Sequence, residues 1–280
     1  MNGLVFGLLL AVPIAVMLYL LLAPRVRRAR REGLRDIAPP ADLDAVLRRN
    51  VPLYSAMPAE LREQLLGHVN VFLAEKKFIG CGGQEITDEI RYTIAGTACI
   101  LLLNREPHYF PGFTSILVYP DTYEVNEISY DGEVEVHERE TRAGESWHRG
   151  PVVLSWGDVV RSATESSDGF NVVLHEFAHK LDEQADGVDG MPELTEDGHF
   201  DDWVRVLTQE YEALRSRADD EPDDVLDDYA LTSPPEFFAV ATESFFEKPR
   251  AMQQRLPELY EQLRRFYRVD PASWHRKGYR

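Results

Sequence analysis

Residues 171–183 read NVVLHEFAHKLDE, and no other stretch narrows the possible folds as much. On an α-helix four residues advance about 400° and about 6 Å, so His175 and His179 project from one face, one turn apart. Around them stand Val172, Val173, Leu174 and Phe177, the composition of a buried helix. Two imidazoles and the Glu176 carboxylate are costly to bury unless something pairs with them. Either they are ordinary helix residues, or they converge on a cation. For the second reading, the chain must bury this helix and bring another element to face it.

Zinc takes N, O or S donors in a tetrahedron, and a catalytic site leaves one position to water. The metal lowers the pKa of that water toward about 7, and an adjacent carboxylate, here Glu176, can take the proton. Two histidines with a Glu beside the first are the smallest set that hydrolyses an amide this way. A third protein ligand is needed. The extended pattern with Gly and His further along the same stretch fails, because Asp182 and Ala185 stand in those places.

The later stretch SPPEFFAVATESFF offers Glu236 and Glu243, two turns apart on one helical face among Phe237, Phe238, Val240, Phe245 and Phe246. A carboxylate in such surroundings needs a partner, and a zinc ion is a good one. Glu236 also lies in the first turn, after Pro234 and Pro235, at the positive end of the helix dipole. The expectation is Glu236 as metal ligand and Glu243 as a carboxylate orienting a histidine; the reverse assignment stays open. Among Asp182, Asp186 and Asp189, one, Asp182 foremost, is a candidate acceptor for an imidazole N–H; the plainer reading is loop and turn acids. Lys180 is expected to point to solvent.

The remainder sets the frame. A chain of 280 residues, 44% apolar and 28% charged, is enough for one large domain or two small ones. A formal charge of −18 argues against a nucleic-acid partner. Two cysteines, Cys81 and Cys99, make neither a disulfide framework nor a C-x-x-C pair. Residues Leu4 to Ala23 carry no charge and match the length of a membrane span. Arg25, Arg27, Arg28, Arg30 and Arg31 follow, and arginines favour the cytoplasmic side. This predicts a transmembrane anchor over 1–24, N-terminus outside, then a basic juxtamembrane segment and linker over 25–42, then a cytoplasmic domain over 43–280. A cleaved signal peptide would want basic residues before the run and a small-residue cleavage site after it, and neither stands out.

Helical periodicity covers most of 43–78 and 87–103. FTSILVYP, YEVNEISY, GEVEVHERE and GPVVLSWGD read as short strands between turn signals. Helical patterns return from Gly169 to the end. The fold class is therefore α+β, mostly helical with a small, mainly antiparallel sheet. VVLSW is read as an edge strand able to pair with an extended substrate, or as a plain sheet strand.

HEFAHKLDE, DDYALTSPPEFFAVATESFF and IAGTACILLLN, together with ILVYP and GESWHRGPVVLSW, resemble the Mlc titration factor A family of zinc-dependent peptidases over roughly Val51 to Pro271. The resemblance implies a zincin-like domain of gluzincin type. Zinc (Zn2+) is then held by His175, His179 and Glu236, with Glu176 as general base and a peptide or protein as substrate. It implies a functional role for Tyr229, whose phenol would donate to the oxyanion of a tetrahedral intermediate. It carries an association with aminopeptidase-type activity. The family name also points to a second class of function, a regulatory protein that sequesters a transcriptional repressor, with the zinc site secondary. The leading expectation is a membrane-anchored zinc metallopeptidase.

Overall fold

Helices open and close the chain and strands fill its middle. A computed structural model describes residues 2–121, 123–131, 134–142, 144–146, 150–164, 168–185, 189–194, 199–217 and 224–274; for 2–14 and 123–146 it describes the backbone only. In chain order come α1 (Asn2–Arg35), α2 (Leu43–Asn50), α3 (Pro52–Ala56), α4 (Ala59–Glu75), β1 (Lys77–Gly80) and α5 (Asp88–Ile100). Then follow β2 (Ser115–Tyr119), β3 (Tyr123–Asp131), β4 (Val134–Arg142), β5 (Gly144–Ser146) and β6 (Val152–Ser155). The helices α6 (Trp156–Thr164), α7 (Val172–Asp182), α8 (His199–Arg217), α9 (Pro234–Glu247), α10 (Pro249–Arg255) and α11 (Pro257–Tyr267) complete it.

The main sheet has the order β1-β2-β6-β5. β1, β2 and β6 run parallel, and only the short β5 is antiparallel to β6. The mainly antiparallel sheet expected from the sequence is thus corrected. Parallel neighbours need long crossovers, and α5 supplies the one between β1 and β2. Short alternating runs mark strands but not their partners, which is why the direction was misread. The two stretches YEVNEISY and GEVEVHERE do pair antiparallel, as the separate hairpin β3–β4. β6 lies between β2 and β5, so VVLS is an interior strand, not an edge, and Trp156, read with it as strand, begins α6. β1 falls where helix was expected.

α5 reads as a buried helix and is one: Thr87 caps it, its hydroxyl accepting from the Ile90 N–H at 3.3 Å, and every residue from Ile90 to Ile100 except Arg91 is buried. α5 packs against α4 and α7. Two aromatic clusters fix the later helices. Phe177 of α7 meets Phe72, Phe110 and Phe113 at centroid distances of 5.7, 4.8 and 5.9 Å. Phe238 of α9 meets Trp203 and Phe266 at 5.8 Å each.

α1 is continuous through the arginine segment. Arg31 makes a bidentate pair with Glu75 of α4 at 2.9 and 2.8 Å and donates to the His108 carbonyl at 3.2 Å. The segment expected as juxtamembrane linker is therefore helical to Arg35 and docked on the body. Along α1, the side chains from Val16 to Leu22 are exposed. Among the described residues no helix is long and apolar enough to cross a membrane. The side chains of residues 4–14, the first half of the expected span, lie outside those described.

Candidate metal centre

α7 begins at an asparagine cap, Asn171. Asn171 Oδ1 accepts from the Leu174 N–H at 3.1 Å, which satisfies a donor at the helix start. From there the helix is buried on nearly every side; His175 is the one residue in it not fully buried. α9 begins with Ser233, whose hydroxyl accepts from the Glu236 N–H at 3.4 Å, followed by Pro234 and Pro235. The two helices pack together, so the first turn of α9 faces the histidine side of α7.

Gly190 sets this approach. It sits at φ 78°, and a Cβ there would lie 2.5 Å from the Pro234 carbonyl oxygen. Its N–H donates to Asp182 Oδ2 at 2.9 Å, and its carbonyl accepts from Trp203 Nε1 at 3.4 Å. The end of α7, α8 and the start of α9 meet at this one backbone position.

The result is a tight triangle of donors. His175 Nε2 and Glu236 Oε2 are 3.0 Å apart, the two Nε2 atoms 3.2 Å, and His179 Nε2 and Glu236 Oε2 3.4 Å. Glu243 Oε1 accepts from His175 Nδ1 at 2.7 Å, which leaves the lone pair of Nε2 facing the other two atoms. Three electron-pair donors this close repel unless a proton or a metal cation sits among them. Donors about 2.0–2.1 Å from a common zinc at tetrahedral angles stand about 3.4 Å from one another, close to these separations. Glu236 Oε2 is buried without a hydrogen bond among the described residues. The donor set therefore fits a divalent metal of the zinc type.

Electrostatics agree. Burial opposes a charged His175, but the Glu243 and Glu236 carboxylates outweigh it and raise its pKa well above the usual. Burial pushes His179 down. Burial works to raise Glu236, yet the two imidazoles hold it below the carboxylate range. Burial raises Glu243, against His175 and the Asn171 N–H. A site that concentrates negative charge around one point and keeps it from water favours a cation there.

Other expected residues fall into place or out of it. Glu176, beside His175, is 3% exposed. Tyr229, on a 3-10 turn Asp228–Leu231, is half-exposed, with its ring centroid 5.9 Å from that of His175. Glu236 faces the histidine pair while Glu243 meets the outer nitrogen of His175. Asp182, the last residue of α7, holds the Gly190 loop and not an imidazole. Lys180 does not reach solvent: its side chain is fully buried, with Nζ 2.8 Å from Glu183 Oε1. On a helix covered all round, no face is left for it to emerge from. Asp186 lies outside the described residues.

Sequence reasoning missed the outer support. Glu243 Oε2 accepts from the Asn171 N–H, and Asn171 Nδ2 donates to Glu247 Oε1 at 3.0 Å. Asn just before an apolar helical run is a capping signal that could have marked Asn171; nothing local marks Glu247.

Two histidines and a glutamate converging from two buried helices form a candidate metal centre, and the family match makes the chain a metallopeptidase. This chain belongs to the glucose-regulated metallo-peptidase M90 family, whose model matches residues 25–268. It is 39% identical over 234 residues to an uncharacterized protein of Synechocystis sp., covering 83% of this chain and 85% of the relative. It is 34% identical over 228 residues to Mlc titration factor A of Pectobacterium atrosepticum, covering 80% and 85%. Against Mlc titration factor A of Salmonella agona it is 32% identical over 234 residues, covering 80% and 84%.

Proposed function

We propose that this chain is a membrane-anchored zinc metallopeptidase of gluzincin type with its domain over 43–280. The observation that carries the reading is the triangle of His175 Nε2, His179 Nε2 and Glu236 Oε2, within 3.0–3.4 Å of one another beside Glu176. These three residues would hold the zinc, which when bound polarises the scissile carbonyl and acidifies water. Glu176 accepts the proton of the attacking water on its carboxylate and delivers it to the leaving amine. Glu243 keeps the proton on Nδ1 of His175 and so keeps Nε2 directed at the site. Tyr229, half-exposed and with its ring 5.9 Å from that of His175, would donate to the carbonyl oxygen as it gains charge. The substrate is a peptide or protein, and the cleavage proposed is of aminopeptidase type.

The test is a Glu176→Gln variant beside the parent, with metal analysis and a screen on peptides with free and blocked amino termini. The expected result is one bound zinc in both proteins and turnover lower by about 10²–10⁴ in the variant. Equal turnover in the two would sink the reading. Cleavage restricted to free amino termini identifies the aminopeptidase type.

Membrane attachment rests on the sequence: the uncharged run Leu4–Ala23, the arginines that follow it, and the exposed apolar side chains from Val16 to Leu22. The N-terminus is then outside and the catalytic domain cytoplasmic. The chain should stay with membranes through an alkaline carbonate wash, and a protease added to spheroplasts should leave the domain intact. Release by carbonate removes this part of the proposal.

A second reading follows from relatives named Mlc titration factor A at 32–34% identity. In it the chain captures a transcriptional regulator and the metal site is secondary. Under that reading Glu176→Gln leaves capture unchanged.

A further inference from the structure

The segment 104–113, between α5 and β2, belongs to neither helix nor strand. Within it Asn104, Tyr109 and Phe110 hold φ of 54°, 54° and 51°. Such angles are uncommon for residues with a side chain, and least expected of bulky ones. Tyr109 and Phe110 are nonetheless buried, at 1% and 0% exposure. A strained backbone of this kind persists only where its surroundings over-determine it.

Two helices hold the segment. At α4, His68 Nδ1 and the Tyr109 hydroxyl lie 2.8 Å apart. Lys76, at the end of that helix, donates from Nζ to the Phe110 and Phe113 carbonyls at 2.7 and 2.8 Å. From α1, the Arg31 guanidinium lies over the Tyr109 ring, 4.8 Å from its centroid, and donates to the His108 carbonyl at 3.2 Å. The bidentate pair with Glu75 fixes that guanidinium in place. Arg28 adds an exposed ion pair with Glu106 at 3.3 Å, which contributes little. On its other side the segment meets the metal helix. Phe110 and Phe113 stand edge-on to Phe177, at 4.8 and 5.9 Å, and Phe177 lies midway between His175 and His179. Because α7 is covered on nearly every side, it can open only if part of that cover moves.

We propose that α1 latches the metal helix: Arg31, docked on Glu75, holds the strained segment 104–113 over Phe177, and its release lets α7 open and exchange its metal. The strain at Tyr109 and Phe110 favours release once a holder is gone. The open form is a minor, locally unfolded state, so the latch governs how fast the metal comes and goes. Zinc as that metal rests on the function proposed above, whereas the latching of α7 by α1 is independent of it. α1 also carries the run proposed to enter the membrane, so tension on that helix acts on the latch.

The test compares the purified full chain with Arg31→Gln and with Arg264→Gln, which breaks an exposed ion pair within α11. Amide hydrogen exchange over 172–182 is read without metal, with 257–267 of α11 as internal reference. Zinc release into excess chelator is timed on the loaded protein. Arg31→Gln is expected to speed both exchange over 172–182 and zinc release roughly 3–30-fold, with 257–267 unchanged. Equilibrium zinc affinity should hardly move, because the binding-competent form still dominates. Arg264→Gln should match the parent over 172–182. In a Phe110→Leu background Arg31→Gln should add less than it does alone, since both changes act on one latch. Unchanged exchange over 172–182 in Arg31→Gln overturns the proposal, as does a rise shared equally by 257–267, or strict additivity with Phe110→Leu. Glu75→Gln frees the same guanidinium and takes the place of Arg31→Gln should that variant not fold. A parent that binds no zinc removes the metal reading and leaves the exchange measurement to decide the latch.

Discussion

Helices α7 and α9 bring polar atoms to the same point by different means. In α7 the two imidazoles stand four residues apart, and the helical repeat alone puts them on one face. In α9 the carboxylate arrives from 57 residues further along the chain than His179, and only packing sets its place. Ser233 and the two prolines start the helix, Gly190 lets the neighbouring loop approach it, and Phe238 seats it on Trp203 and Phe266. The first half of the site is therefore a property of one segment. The second is a property of the core.

Truncating each aromatic anchor tests that difference. Phe177→Ala and Phe238→Ala should each lower unfolding free energy by about 3–5 kcal/mol in a denaturant titration. Their effects on metal affinity per folded molecule should diverge. Phe177→Ala leaves the spacing of the histidine pair intact, whereas Phe238→Ala loosens the seat of Glu236 and weakens binding. Equal losses of affinity would break the comparison.

Between the helices stands Glu243, on α9 but bonded to the outer nitrogen of His175 and to the Asn171 N–H. Glu243→Gln should lower zinc affinity about 10–100-fold, read by competition with a chelator, with the fold retained. An unchanged affinity would show that α7 holds its histidines without help from α9.

The smallest effect is expected at Asp182. Burial raises its carboxyl to about 6, with the Gly190 N–H opposing. The folded state then binds more protons than the unfolded state between about pH 4 and pH 6, so this group's contribution to stability is present at the acid end and is lost as pH rises. Asp182→Asn, which keeps an acceptor for Gly190, should remove a slope on the order of 1–2 kcal/mol across that window. The same slope in both proteins would place the titration elsewhere.

Much of the site was legible before any coordinates. The HEFAH spacing marks the pair, apolar flanks mark burial, and a carboxylate among phenylalanines marks a group in need of a partner. Less of the support was legible. Lys180 was expected in solvent because a lysine usually is, and the coverage of α7 on all sides is a tertiary fact. Glu247 and Gly190 carry no local signal for their roles, since each acts on an element distant in sequence.

The same division runs through the fold. The sequence by itself determined where most helices and strands form, though not α6 or the helical arginine segment, because helical and strand periods are written in local side-chain order. It also determined that His175 and His179 share a face. Only the tertiary structure decided that β1, β2 and β6 run parallel, that the arginines after residue 24 continue a helix docked on α4, and that Glu236 faces the histidines while Glu243 stands behind one of them. Strand direction and cross-helix approach depend on which distant surfaces bury each other, and that information is spread over the whole core.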